Sequence, residues 1–317
     1  MSSPRSRRAM LGDVAALGAM LAIPRPLAAL FGAPSPDVRR ADDRTTHAKD
    51  SDRERLATWS ASLRTERLAD AKTPLGRAAA RVGELAIGTP YVAYTLEEYL
   101  KAGGSATKEE PLALSLTRFD CVTLVESCLA IARAARTGGT PTWERFAREV
   151  ERMRYRDGKR GDYTSRNHYF SEWISDGARR GLVRDLGAEL GGEEDARPLR
   201  FMTEHRKSYP ALADDRVFDA IGAMERRLDG QARRVIPTAR IAQVADRIQT
   251  GDVLAFATAI PGLDVTHSAM AYRDGQGVLR VLHAPLSGGS VEITRSTLPE
   301  YVAAIKRSTG ILVARPA

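Results

Sequence analysis

The spacing of apolar residues changes once along this chain. Up to about residue 180 they recur at intervals of three and four, and from Pro237 onward at intervals of two. Leu56, Trp59 and Leu63 predict a helix that begins near Arg53. Lys72-Thr73-Pro74 ends it, and Leu75, Ala79, Val82 and Ala86 mark a second. After a turn at Gly88-Thr89-Pro90-Tyr91 and a polar loop over 101–110, Asp120 is placed to cap a third helix. Val122, Val125, Leu129 and Ala132 form its stripe, and Thr137-Gly138-Gly139 closes it. Similar spacing predicts helices over about 142–154 and 166–180, while 181–235 fits no single period. Alternation then predicts strands at 253–257, 266–272, 278–284, 291–294 and 310–314, with a hairpin turn at Arg273-Asp274-Gly275-Gln276-Gly277. Helices first and strands later predict an α+β fold, with an antiparallel sheet packed on the helix that carries Cys121.

The N-terminal region departs from both patterns. Ser6-Arg7-Arg8-Ala9-Met10-Leu11 precedes a weakly apolar run from Val14 to Ile23, then Pro24, Pro26 and small residues up to Ala33. Residues 1–33 read as a twin-arginine export signal, which places the mature protein in the periplasm or otherwise outside the cytoplasm. The competing reading is a basic, unstructured N-terminus on a cytosolic protein. Residues 34–55 are polar, charged and aperiodic and read as a tether, leaving 56–317 as a single catalytic domain.

Composition narrows the function. The 317 residues are 43% hydrophobic and carry a formal charge of +8. Four arginines and one aspartate place +3 of that charge in residues 1–33. The remaining arginines are interleaved with acids and follow no nucleic-acid-binding motif, so no nucleic-acid partner is indicated. No stretch is long and apolar enough to predict a membrane span. Five histidines without HExxH, and two cysteines without CxxC, indicate neither a metal site nor a cofactor. Oligomeric state is not legible in the sequence.

Chemistry therefore concentrates in few side chains. Cys121 falls in the first turn of its helix, where free N–H groups and the helix dipole favour an anion and increase the thiolate fraction. Cys128 is two turns away, about 10 Å, which is beyond disulfide reach. His267 opens one strand of the predicted hairpin and His283 closes the next, so one imidazole can act as base to the thiol while the other holds it. Asp120 reads as a cap that can also touch substrate. Tyr91 reads equally as core packing or as a cleft residue. Arg166 and His168 lie in a polar-aromatic run that reads as surface salt bridging or as a binder of peptide carboxylate or sugar.

Phe119-Asp120-Cys121-Val122-Thr123-Leu124-Val125-Glu126, preceded by Gly88-Thr89-Pro90-Tyr91, resembles the NlpC-type peptidoglycan cysteine hydrolases of the papain-like superfamily. Val122-Thr123 departs from the Ser-Gly usual in those proteins. With Tyr155-Arg156-Asp157-Gly158, Ser165-Arg166-Asn167-His168-Tyr169-Phe170, Phe201-Met202-Thr203 and Gly262-Leu263-Asp264-Val265-Thr266-His267, it is similar to the N-acetylmuramoyl-L-alanine amidase-like branch. The resemblance spans about Leu75 to Arg315. It implies a papain-like fold, Cys121 as nucleophile, His267 as base, His283 as orienter, and a muramoyl–L-alanine amide in a peptidoglycan fragment as substrate. A γ-D-glutamyl endopeptidase, a thiol acyltransferase and a non-catalytic cell-wall-binding protein remain alternatives on the same residues.

The triad carries a geometric requirement. A three-residue hairpin loop, Asp274-Gly275-Gln276, pairs Arg273 with Gly277 and sets His267 directly opposite His283. A two-residue loop, Gly275-Gln276, sends them to opposite faces unless a bulge intervenes. The expected site has both rings facing the start of the Cys121 helix, with a His267 nitrogen within about 4 Å of the sulfur.

Overall fold

The computed structural model describes residues 51–287 and 289–317. The export segment and nearly all of the tether lie outside the described residues. Ten helices are assigned within them: α1 (Asp52–Thr65), α2 (Leu75–Leu85), α3 (Glu98–Lys101), α4 (Cys121–Ala135), α5 (Trp143–Arg154), α6 (Phe170–Arg179), α7 (Phe201–Glu204), α8 (Asp215–Leu228), α9 (Ile241–Val244) and α10 (Leu298–Ala304). Eight strands complete the assignment: β1 (Val183–Asp185), β2 (Glu193–Asp195), β3 (Arg233–Pro237), β4 (Val253–Thr258), β5 (Val265–Arg273), β6 (Leu279–His283), β7 (Glu292–Ile293) and β8 (Ser308–Pro316). Helix α1 starts inside the segment read as tether. There the Ser51 hydroxyl accepts from the Glu54 N–H while the Glu54 carboxylate takes the Ser51 N–H, a reciprocal cap.

The strands form one antiparallel sheet in the order β2-β3-β8-β4-β5-β6-β7, with β1 also pairing β8. Its two faces follow the alternation in the sequence. Val253, Ala255, Ala257, Met270, Leu282, Leu312 and Ala314 face a core shared with α1, α2, α4, α5 and α6. Leu254, Phe256, Ala269, Ala271, Val281, Ile311 and Val313 face a second core closed by α9 and α10. A third cluster around α7 and α8 is built on Tyr163, Tyr169, Tyr209 and Ile221. The result is a mixed α/β fold with helices on both faces of an antiparallel sheet.

Helix α4 occupies the centre of the first core, and of its fifteen residues only Arg133 is not buried. Being apolar around most of its circumference, it packs against α1, α2, α5 and β5 together. The close fit of α2 to the turn before β4 depends on glycine. Gly251 has φ +87°, and a Cβ there would lie 1.9 Å from the Gly76 carbonyl oxygen.

Two sequence expectations are revised. Residues 166–169 are not helical: Arg166 and Tyr169 are extended, Arg166 bridges to Tyr155, and α6 begins only at Phe170. The unassigned stretch 181–235 holds β1, β2 and α8. The two strands there have three residues each, too short to express a period of two.

Candidate functional site

The site is assembled where α4 begins. Asp120 caps the helix, its Oδ1 accepting from the Thr123 N–H at 2.8 Å while the Asp120 N–H donates to Thr123 Oγ1 at 2.9 Å. Asp120 Oδ2 accepts from the Thr95 hydroxyl at 3.0 Å. Both oxygens of this carboxylate are thus engaged by the fold, and Asp120 sets the helix entry. The cap satisfies the third helical N–H and leaves those of Cys121 and Val122 uncapped.

The Gly88–Tyr91 segment is fastened to the same place. The Phe119 N–H donates to the Pro90 carbonyl at 3.0 Å, and the Val92 N–H to the Phe119 carbonyl at 2.8 Å. The Tyr91 N–H donates to the Gly289 carbonyl at 2.8 Å. Tyr91 is thereby brought beside Cys121, half-buried. Burial raises its phenol pKa, with Cys121 and Asp120 as the nearest negative partners. Tyr91 packs against the first core, which is the packing reading of the sequence.

Cys121 is the first residue of α4 and 2% exposed. Burial pushes its thiol up to about 12, and the neighbouring Asp120 carboxylate adds to the rise. Ser268 and the Val122 N–H favour the thiolate but do not reverse this. Burial thus works against the lowered pKa expected at a helix terminus. Cys128 is also a free, buried thiol, raised by burial alone.

His267 and His283 are joined directly, His267 Nε2 to His283 Nδ1 at 2.8 Å, with the rings edge to face. The loop that allows this has an odd length but is displaced by one residue. Asp274 and Val278 close it through a 3.0 Å backbone bond, enclosing Gly275-Gln276-Gly277, and Met270 pairs with Leu282. The histidines therefore share a face but stand diagonally across the strands instead of opposite one another. His267 pairs with Phe256 in the regular β4–β5 register, ahead of a bulge between Phe256 and Ala257, and stacks on that ring with centroids 5.5 Å apart.

That face is the one covered by α10, whereas α4 packs on the other. The two come together at the end of the hairpin. The β5–β6 pairing starts at Met270, so His267 and Ser268 extend past it, and the Cys121 sulfur lies against Ser268. Tyr301 of α10 is within electrostatic reach of Cys121 and places its hydroxyl 3.4 Å from His283 Nδ1. His267 Nδ1 is buried and makes no hydrogen bond among the described residues. Both imidazoles are held below the usual histidine range by burial, His283 down to about 4, and are neutral at pH 7.

Arg166 and His168 lie elsewhere. Arg166 is wholly enclosed, contacting Glu97 at 2.9 Å and Glu110 at 3.3 Å and lying 4.7 Å over the Tyr163 ring. His168 Nε2 faces the Tyr163 carbonyl at 2.8 Å, and burial keeps its ring neutral. Neither reading given to them from the sequence, surface salt bridge or ligand binder, fits side chains sealed from solvent. A polar run can equally enter an interior network of tyrosines and carboxylates, here with the Tyr155 and Tyr163 hydroxyls 3.0 Å from Glu110 and Glu97. A separate cavity of about 360 Å³, lined by Thr95, Tyr99, Arg118, Thr123, Ser127 and Arg154, lies on the far side of α4 and includes neither Cys121 nor the histidines.

Sequence reasoning missed Tyr301, Ser268 and Glu292, whose carboxylate lies 3.5 Å from His283 Nε2. Ser268 follows His267 directly and could have been flagged by that. Glu292 and Tyr301 are distant in sequence and become visible only once the register and the packing of α10 are known.

The profile of the N-acetylmuramoyl-L-alanine amidase-like family matches residues 81–311. A solved N-acetylmuramoyl-L-alanine amidase from Bacteroides uniformis is 30% identical, with a TM-score of 0.68, over 77% of this chain and 99% of that one. A Bacteroides fragilis protein, provisionally named a xylanase, is 33% identical with a TM-score of 0.66 over 74% and 98% of the two chains. A Legionella pneumophila protein at 19% identity and a TM-score of 0.57, over 82% and 93%, shares the fold. No curated protein matches the chain.

Two measurements follow from this geometry. Arg166→Met leaves Glu97 and Glu110 without their shared cation and is expected to cost about 3–5 kcal/mol in urea unfolding. A stably folded variant with only a raised KM would instead restore the binding role. The second concerns pH. The folded state binds fewer protons than the unfolded chain at His267 and His283, so their contribution to stability is intact above about pH 6.5. Below that it is lost on acidification by up to ~1.4 kcal/mol per pH unit for each histidine, for His283 down to about pH 4. His283→Gln should remove about one proton from the slope of stability against pH in that window, and an unchanged slope would show that His283 is already charged in the fold.

Proposed function

Because the chain belongs to the N-acetylmuramoyl-L-alanine amidase-like family, we propose that it is a cysteine amidase that cleaves the bond between the muramoyl lactyl carbonyl and L-alanine in peptidoglycan fragments. The observation that carries this reading is the buried, unpartnered Nδ1 of His267, on a ring fixed through its other nitrogen by His283, one residue from the serine that touches the Cys121 sulfur. A base that takes a thiol proton needs such a bare nitrogen on a ring that cannot turn away.

In this reading Cys121 Sγ attacks the carbonyl carbon as His267 Nδ1 takes the thiol proton. The Cys121 N–H, which the cap leaves unused, is the backbone donor offered to the carbonyl oxygen as negative charge develops on it. The C–N bond breaks, His267 returns its proton to the leaving L-alanine amine, and a thioester remains on Cys121. Water, deprotonated by His267, hydrolyses it and regenerates the thiol. With the resting thiol and imidazole both neutral, attack and proton transfer occur together rather than from a standing thiolate–imidazolium pair. Thiol–imidazole contacts in ligand-free sites are often long and tighten around substrate.

The remaining sequence expectations join this proposal. A sheet packed against a helix that opens on a cysteine, with histidines on later strands, supports a papain-like assignment. Arg7-Arg8 and the apolar run behind them support export to the periplasm, where the substrate resides. A glycosidase of the xylanase kind would need two free carboxylates across the scissile bond. Asp120, the carboxylate next to Cys121, is engaged in capping.

Purified muropeptides with a free or an anhydro glycan end test the reading. The protein should release peptides with a free L-alanine N-terminus, seen by mass spectrometry, and Cys121→Ser should lower kcat at least about a thousandfold while unfolding as cooperatively as the parent. Release of D-glutamate-linked fragments instead would favour the endopeptidase alternative, and full activity of Cys121→Ser would exclude Cys121 as nucleophile.

A further inference from the structure

We infer that Glu292 is a positioning residue that selects the imidazole tautomers of the site, an inference that rests on His267 being the base of the proposed amidase. A neutral histidine pair joined by one hydrogen bond has two arrangements. Either His267 Nε2–H donates to His283 Nδ1, leaving His267 Nδ1 bare, or His283 Nδ1–H donates to His267 Nε2, leaving the proton of His267 on Nδ1. Only the first lets His267 accept a thiol proton. The 2.8 Å contact alone does not choose between them.

The surroundings of His283 make the choice. Its Nε2 is buried and has no hydrogen bond among the described residues, and Glu292 Oε1 lies 3.5 Å from it, presented from the strand pair His283–Glu292. A carboxylate has only acceptors to offer, so it favours the proton of His283 on Nε2. His283 Nδ1 is then an acceptor, and two groups converge on it: His267 Nε2 and the Tyr301 hydroxyl at 3.4 Å. Burial keeps Tyr301 protonated and so able to donate. The proton of His267 consequently sits on Nε2. Its Nδ1, unpartnered among the described residues, carries the free lone pair. Glu292 thus acts on the sulfur chemistry from two rings away, without contact with substrate. Its side chain is 56% exposed, so replacing it removes charge without opening a core.

The test uses full-length protein labelled with 15N-histidine, read by NMR without substrate, together with steady-state kinetics on a muropeptide. In the parent, both Nδ1 atoms of His267 and His283 should resonate as unprotonated acceptors and both Nε2 atoms as protonated. Glu292→Ala should shift a substantial fraction of His267 to the Nδ1–H form and lower kcat about tenfold with little change in KM. Glu292→Asp should restore part of both. A parent spectrum with His267 protonated at Nδ1, or an identical tautomer distribution in Glu292→Ala, would overturn the inference. Because the NMR readout needs no turnover, a protein that cleaves no muropeptide would count against the amidase reading alone and leave the role of Glu292 readable.

Discussion

The enclosure of α4 is the constraint on which the rest of this structure depends. A helix buried on every side needs a cover on every side, and α1, α2, α5 and the sheet supply it. Its one acidic residue, Glu126, cannot remain unpaired there, so Arg154 is drawn in from α5 to 2.8 Å, and Arg154 in turn donates to the Ala113 carbonyl. At its N-terminus Asp120 and Thr123 cap each other, and Thr95 holds the second carboxylate oxygen. The loops on either side are fixed by these demands before any chemistry is considered.

The same enclosure decides the character of the thiol. A helix N-terminus favours a thiolate, but the dipole acts on a sulfur from which solvent has been removed, beside a carboxylate that the cap requires. Desolvation works against the thiolate, and the imidazoles are subject to it too. A neutral, buried thiol is less exposed to adventitious oxidation than a standing thiolate would be.

What the sequence made legible was periodic or local. The alternation of Val253, Ala255 and Ala257 identified a strand that meets α4, and Asp120 ahead of the stripe of Val122, Val125 and Leu129 marked the helix start. His267 and His283 could be paired because the parity of a hairpin loop is a sequence property, although the loop proved to be displaced by one residue. The remainder depended on contacts that no local pattern encodes. Arg166 reads as a surface residue in any window of sequence, yet its partners Glu97 and Glu110 come from a loop about sixty residues earlier. Tyr301 sits on a seven-residue helix, too short for its apolar spacing to stand out. Glu292 owes its place to a two-residue strand.

The central claim is that Cys121 itself forms a covalent bond to the muramoyl carbonyl carbon. Reaction with a muropeptide, acid quenching within the first turnover and peptide mapping by mass spectrometry would observe that bond. The account predicts a muramoyl thioester on the Cys121 peptide without the stem peptide attached. Turnover without any adduct on Cys121, or an adduct that retains the stem peptide, would contradict it.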